Sequence, residues 1–155
     1  MRNTFFIFIF CLFFAFSFNL AFAQDLPEEL NSNALESQIS QNKGKVVVVN
    51  FWTTTCPACQ DEVKELIELR KQFESDQLMI LGIAMDRSKE RIRDYVQKQG
   101  INYKVYKGSR DMIYKYNVRG VPKTFFYGLQ GNEEKSKAGY ISFENLESTV
   151  NSLMQ

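Results

Sequence analysis

The sequence predicts an α/β fold in which helices flank a central mixed β-sheet, and three observations support this. Two apolar, β-branched runs, residues 46–51 and 78–85, have the composition of strands covered on both faces. A segment with helical periodicity follows each run, and a hairpin pattern closes across residues 130–132. The predicted order is β-α-β-α-β-α-β-β-α, in which the alternation implies parallel pairing through right-handed crossovers and the hairpin adds an antiparallel edge.

The first part of the predicted domain is polar and holds one short element. Leu35 and Ile39 lie four residues apart, which is the spacing of one helical face. Residues 24–45 are therefore expected to form a short strand or helix at the domain edge. After a Lys-Gly-Lys turn, the first central strand begins at Val46, and Asn50 is its one polar residue.

The later elements follow from periodicity and capping residues. The helix after the cysteines is expected to bury Val63, Leu66, Ile67 and Phe73. Ser88 is expected to cap the next helix, and Gly100 to terminate it. The remaining elements are a strand over 103–106, a short helix capped by Ser109 and ending at 116, a hairpin of strands 124–127 and 134–140, and a last helix capped by Ser142.

The N-terminal residues have the layout of a secretory signal peptide. Residues 5–18 are almost entirely apolar, and Ala21-Phe22-Ala23 provides small residues for cleavage. We expect residues 1–23 to be the signal and residues 24–155 to form one domain, with retention as a membrane anchor as the alternative. Cys11 would leave with the signal. The protein is accordingly expected in the periplasm or another extracytoplasmic compartment.

Composition excludes several classes of function. The 19 basic residues include Arg2, so the chain without its signal carries equal numbers of basic and acidic residues, unlike a nucleic-acid-binding surface. The chain contains no histidine, which excludes Ser-His-Asp and Cys-His catalysis and argues against zinc or copper. No metal or other cofactor is expected. A monomer is the expected state.

Cys56 and Cys59 are the predicted reactive residues. Cys56 lies just before a helix, and Pro57 suits the first helical position because no backbone N–H is required there. The unpaired N–H groups and the helix dipole favour a thiolate at Cys56, which is the nucleophile in thiol–disulfide exchange. Cys59, one turn later and more covered, can resolve the resulting mixed disulfide. The alternative is an inert clip, but so short a loop constrains the unfolded chain little.

Two segments of the sequence resemble the exported thioredoxin-like reductases of the TlpA/ResA type. The segment from Asn50 to Cys59 resembles the family's FWATWCPPC, and the segment from Tyr116 to Thr124 resembles YGVRGVPTTF. The resemblance implies a thioredoxin fold with an extra helix–strand insertion before a cis Pro122, although the tetrapeptide around Pro122 alone favours the trans form. It also implies Cys56 as the attacking thiol and Cys59 as the resolving thiol.

The resemblance extends to partners and to a carboxylate. It implies disulfide-bearing protein substrates, among them the cysteines of apocytochrome c, and re-reduction by a membrane electron donor. Family members often carry a glutamate at the position of Glu62, where it is proposed to assist proton transfer at the buried thiol. The other interpretation of Glu62 is an exposed acid in an early helical turn, and burial decides between the two.

The expected substrate groove is lined by Trp52, Pro57, Val121 and Lys123. Two residues depart from the family pattern. Thr55 replaces the usual tryptophan before the first cysteine, and Lys123 replaces a small residue, placing a positive charge near the groove.

Two other functions remain open from the sequence. A peroxiredoxin-like peroxidase would use a threonine three residues before the attacking cysteine, and Thr53 has that spacing, but Val49 stands where the preceding proline of that motif is expected. A non-enzymatic, metal-handling thioredoxin-like protein would use a histidine with the two cysteines, and the chain has none.

Overall fold

The computed structural model describes residues 26–155, so the expected signal peptide lies outside the described residues. The strands are β1 (Glu29–Leu30), β2 (Val46–Trp52), β3 (Leu78–Ala84), β4 (Lys104–Gly108), β5 (Lys123–Tyr127) and β6 (Glu133–Ala138). The helices are α1 (Ser32–Gln41), α2 (Pro57–Gln72), α3 (Lys89–Gln99), α4 (Asp111–Lys115) and α5 (Phe143–Leu153). Every element predicted from the sequence is present, and residues 24–45 supply both a strand and a helix.

The strands form one mixed sheet in the order β1-β4-β3-β2-β5-β6. The pairs β1–β4, β3–β4 and β2–β3 are parallel, whereas β2–β5 and β5–β6 are antiparallel. The β5–β6 hairpin therefore forms an antiparallel edge of the sheet, as predicted, and joins the parallel part through the antiparallel pairing of β5 with β2. The pairing of β2 with β5 sets Asn50 opposite Thr124, next to the region of the cysteines.

Apolar side chains cover both faces of the sheet, as the β-branched composition of the central strands predicts. On one face, α1 and α4 pack against a cluster that includes Leu35, Val49 and Met112. On the other face, α2 and α5 pack through Leu66 and Leu146 against side chains of β2, β3 and β5. The sheet is thus enclosed between two helical layers, and the β2–α2 corner lies at one end of it.

The capping predictions hold for one helix and fail for another. The Ser88 side chain accepts a hydrogen bond from the backbone of Arg91, and Gly100 ends α3 in the left-handed conformation with φ +65°. Ser109, however, is not the N-cap of α4, because Arg110 occupies that position and the Ser109 hydroxyl bonds to the Asp111 carboxylate.

The last helix begins after Ser142, as predicted, although the Ser142 side chain makes no capping bond. None of the helices within residues 26–155 has the length and apolar character needed to cross a membrane.

Candidate redox site

Cys56 and Cys59 form a disulfide at the corner where β2 gives way to α2. Cys56 is the N-cap of α2, Pro57 occupies the first turn, and the backbone N–H of Cys59 donates to Cys56 Sγ at 3.2 Å. Cys56 is partly exposed, whereas Cys59 is only 1% exposed. The two sulfurs therefore differ in access as the sequence predicted, with the accessible one at the positive end of the helix.

The cis-proline loop lies directly beside the accessible sulfur. The Val121–Pro122 peptide bond is cis, which confirms the expectation from the family resemblance. The carbonyl oxygen of Val121 is 3.6 Å from Cys56 Sγ, and Pro122 itself is buried. Residues 65 positions apart in the sequence thus lie in contact at one surface.

Glu62 is fully buried beneath the cysteine pair, at 0% exposure. Its Oε1 accepts hydrogen bonds from the Thr124 hydroxyl and from Asn50 Nδ2, the latter at 2.8 Å, and its Oε2 accepts from the Ile141 backbone at 2.9 Å. Burial raises the pKa of this carboxyl, and the bonds from Thr124 and Ile141 together with the charge of Lys137 oppose that rise.

Burial was the property on which the two interpretations of Glu62 depended, and it excludes an exposed surface acid. The carboxylate oxygens are engaged by three donors, and within residues 26–155 no hydrogen bond joins Glu62 to Cys59 in this oxidised form. Glu62 nevertheless follows Cys59 by three residues, so the two side chains are neighbours on the helix surface.

Trp52 does not line the groove, which corrects the prediction from the sequence. Its side chain is 0% exposed and packs inside the domain with Cys59, Val63 and Ile92. The indole ring lies 5.3 Å from the ring of Tyr95, measured between centroids. Alternation along β2 turns Trp52 toward α2, on the same side as Asn50, so the side chain supports the cysteine pair from below.

The other predicted groove residues lie at the surface. Pro57 is exposed, and Val121 and Lys123 are partly exposed. Lys123 Nζ sits 4.9 Å from the centre of the Phe125 ring, a distance typical of a cation–π contact. The positive charge expected near the groove is therefore present.

The loop before Cys56 is anchored by a hydrogen-bond network that was not predicted from the sequence. The Asp86 carboxylate accepts from the Thr54 hydroxyl at 2.6 Å and from the Thr54 N–H at 3.0 Å, and Gln60 Nε2 donates to the Thr54 carbonyl at 2.8 Å. Asp86 follows β3, and the carboxyl ends of parallel neighbours β2 and β3 meet at one edge of the sheet. The contact depends on that register, which the residues of the two strands do not give by themselves.

No group of three or more Cys, His, Asp or Glu residues suited to a metal ion occurs in the described part of the chain.

The chain is similar to known thiol-disulfide oxidoreductases over most of its length. A sequence profile described as "AhpC/TSA family" matches residues 17–132. The thiol-disulfide oxidoreductase ResA of Bacillus subtilis is 26% identical over 122 residues, which are 78% of this chain and 68% of ResA. The sporulation thiol-disulfide oxidoreductase A of the same organism is 23% identical over 68% of this chain and 67% of its own length.

Solved structures also share the architecture. A thiol:disulfide interchange protein of the thioredoxin family from Chlorobium tepidum superposes with a TM-score of 0.69 at 26% identity, covering 74% of this chain and 83% of that one. StoA from Bacillus subtilis gives a TM-score of 0.61 at 20% identity, over 68% and 82% of the two chains. The thioredoxin fold is thereby confirmed, and α3 and β4 lie before the cis-proline, where the sequence predicted an extra helix and strand.

Proposed function

The chain belongs to the AhpC/TSA family and is a thioredoxin-like thiol-disulfide oxidoreductase, and we propose that it reduces disulfides of proteins outside the cytoplasm. One observation carries this proposal. A partly exposed sulfur caps a helix, contacts the carbonyl before a cis-proline, and is bonded to a buried second sulfur one turn away. An inert clip would need neither the difference in access nor the adjoining cis-proline loop.

The first step is attack by the reduced protein on a substrate disulfide. The helix N-terminus stabilises negative charge on Cys56, and the Cys59 N–H points at its sulfur. The Cys56 thiolate forms a bond to one substrate sulfur, the substrate S–S bond breaks, and the second substrate sulfur leaves as a thiolate. The Val121 backbone, next to Cys56, is positioned to hold the substrate chain extended during this step.

The second step releases the product. Cys59 loses its proton, its thiolate attacks Cys56 Sγ, and the mixed disulfide breaks so that the substrate leaves with both sulfurs reduced. Two electrons have then passed to the substrate, and Cys56 and Cys59 form the disulfide seen in the structure. We assign the return of two electrons to a dithiol-bearing electron donor in the membrane.

We assign to Glu62 the proton of Cys59. A carboxylate whose pKa is raised by burial is a stronger base than an exposed one, and Glu62 follows Cys59 by one helical turn. Proton uptake by Glu62 would accompany formation of the Cys59 thiolate. The same carboxyl would return the proton when the pair is reduced again.

The proposed location rests on the N-terminal sequence, and one proposed substrate class rests on the family resemblance. Residues 1–23 are proposed to direct export, with cleavage after Ala23 or retention as an anchor. Cysteine pairs of apocytochrome c are one substrate that the resemblance to TlpA/ResA proteins suggests. Mass spectrometry of the intact protein, isolated from the extracytoplasmic fraction of cells that express it, would show whether residues 1–23 are removed or retained.

Trapping of the mixed disulfide tests the function directly. The Cys59→Ala variant retains the attacking thiol but lacks the resolving thiol, so Cys56 should accumulate in a mixed disulfide with its substrate. Cys56→Ala is the matched control and should capture nothing through Cys59, which is buried. Mass spectrometry would then identify the captured protein. Equal capture by both variants, or no reduction of any protein disulfide by the intact dithiol, would contradict the proposal.

A thiol peroxidase is the second candidate, since Thr53 has the spacing from Cys56 that peroxiredoxins use. Against it, the resolving Cys59 is already bonded to Cys56 within the same helical turn, which suits exchange with a disulfide. Peroxide consumption measured against reduction of a peptide disulfide separates the two. Faster turnover of peroxide than of disulfide would favour the peroxidase.

A further inference from the structure

An open pocket of about 400 Å³ adjoins the cis-proline loop, whose Val121 carbonyl contacts the accessible sulfur. Residues 119–123 form one wall, with Asn117 and the turn at 138–139 completing it. Val121 belongs both to this pocket and to the contact with Cys56. Within the described chain, the charged residues lining the pocket are Arg119 and Lys123, and both are cations.

The two cations are tied to one neutral residue. Arg119 Nε donates to the side-chain oxygen of Asn117 at 3.0 Å, and Lys123 Nζ donates to the backbone oxygen of Asn117 at 3.5 Å. Asn117 adopts the left-handed conformation, with φ +47°. Across residues 26–155, no carboxylate lies within ion-pairing distance of either cation. Asn117 therefore orients both charges without neutralising them.

A neighbouring cavity, which Lys123 also lines, contains two acidic residues, but within residues 26–155 neither forms an ion pair with Lys123. Glu36 there is paired with Lys115 at 2.8 Å. Glu133 lies opposite Tyr127, which is four residues along β5 from Lys123, or roughly 13 Å of strand. Neither carboxylate lines the pocket beside Val121, so the charged residues of its described lining remain two cations.

From this arrangement we propose that Arg119 and Lys123 select substrates carrying a carboxylate close to the cystine that Cys56 attacks. The inference rests on the proposed reduction of protein disulfides and specifies its substrate class. A polypeptide lying along the Val121 backbone brings the residues that flank its cysteine over the pocket, where a carboxylate meets two unpaired cations. Charges at the rim of an interface act mainly on association rate and on salt dependence.

The test uses disulfide-bonded peptides of one sequence that differ only beside the cysteine. One carries Asp, one Asn and one Lys, each with an amidated C-terminus, and a fourth carries Asn with a free C-terminal carboxylate. Reduction by the dithiol form is followed as kcat/KM. The Asp peptide should exceed the Asn peptide by about three- to tenfold at low salt, since each exposed ion pair contributes a few-fold in binding, and the advantage should shrink as salt is added.

Variants assign the preference to the two cations. Lys123→Gln and Arg119→Gln should each lower the ratio of kcat/KM for Asp over Asn peptides, and the double variant should bring it close to one. Lys98→Gln, which makes the same change on an exposed position of α3, should leave the ratio as in the parent. Lys123→Glu should favour the Lys peptide. A preference for the fourth peptide over the Asp peptide would identify a chain-terminal carboxylate as the ligand.

The outcomes separate this inference from the function on which it rests. Equal reduction of Asp, Asn and Lys peptides, with no response to either variant, would overturn the inference while the reductase proposal stands. An Asp preference that survives in the double variant would also overturn it. Failure to reduce any of the four peptides would instead count against the reductase proposal.

Discussion

Replacement of Glu62 by glutamine should change how the stability of the oxidised protein depends on pH. Burial raises the pKa of Glu62 above its ordinary value of 4.5. Below that value the carboxyl is protonated in both the folded and the unfolded chain. At higher pH the unfolded chain loses this proton first, so the folded state binds more protons and the free energy of unfolding falls until the folded pKa is passed. The glutamine side chain of the variant has no proton to lose in this range.

The expected difference can be worked out from the contacts. In the window between the two pKa values, the wild type should lose up to about 1.4 kcal/mol per pH unit relative to the variant. The substitution also lowers the stability of the variant by an amount that does not depend on pH, which we call the offset. It arises because a glutamine amide cannot accept hydrogen bonds from Thr124, Asn50 and the Ile141 N–H together. Leaving one of these buried donors unpaired costs about 1–3 kcal/mol at every pH. The slope therefore reports ionisation and the offset reports hydrogen bonding.

The assay is urea unfolding of the oxidised protein between pH 4 and 8, followed by the emission of Trp52, which is the single tryptophan of the chain. Thr124→Val provides a second check, because loss of its hydrogen bond to Glu62 should raise the pKa further and extend the decline to higher pH. Parallel curves for the wild type and Glu62→Gln would refute the raised pKa. An unchanged pH profile of disulfide reduction in Glu62→Gln would exclude the proposed proton transfer.

Three other outcomes are expected. Asp86→Ala should lower the free energy of unfolding, measured by urea titration, by about 2 kcal/mol, because two hydrogen bonds from Thr54 lose their charged acceptor. The variant should also reduce disulfides more slowly. Unchanged kinetics would show that the anchored loop does not position Cys56. Ser88→Ala should destabilise the protein by about 1 kcal/mol through loss of the cap on Arg91, with activity retained. Trp52 emission should rise when the disulfide is reduced, because a disulfide quenches a nearby indole, and a flat signal would contradict the packing of Trp52 against Cys59.

Features that depend on neighbours in the sequence were predictable. The strand before Cys56, the helix begun by Pro57, and the αL end of α3 at Gly100 each follow from a few adjacent residues. Ser109 shows the limit of such reasoning, because its hydroxyl found the Asp111 side chain and left the N-cap to Arg110. Local rules list the residues able to cap a helix but do not decide between competing polar partners.

Features that depend on distant residues were not predictable from the residues themselves. The anchoring of Thr54 by Asp86 requires the parallel register of β2 and β3, and the direction of Trp52 requires knowledge of which face α2 covers. Packing determines both, and alternation along a strand does not say which face is which. The cis form of Pro122 was expected only from the family resemblance, since an X–Pro pair by itself favours the trans form.

The order of residues along the chain was enough to indicate the chemistry available to this protein: two cysteines one turn apart at the start of a helix, and no histidine for Ser-His-Asp or Cys-His catalysis. Folding established what surrounds them. It buried Glu62 against Thr124, and it brought Val121, whose loop also carries Arg119 and Lys123, into contact with Cys56. The two kinds of feature differ because helix polarity arises within a few residues, whereas burial and charge convergence arise only when strands far apart in the chain pair in one register.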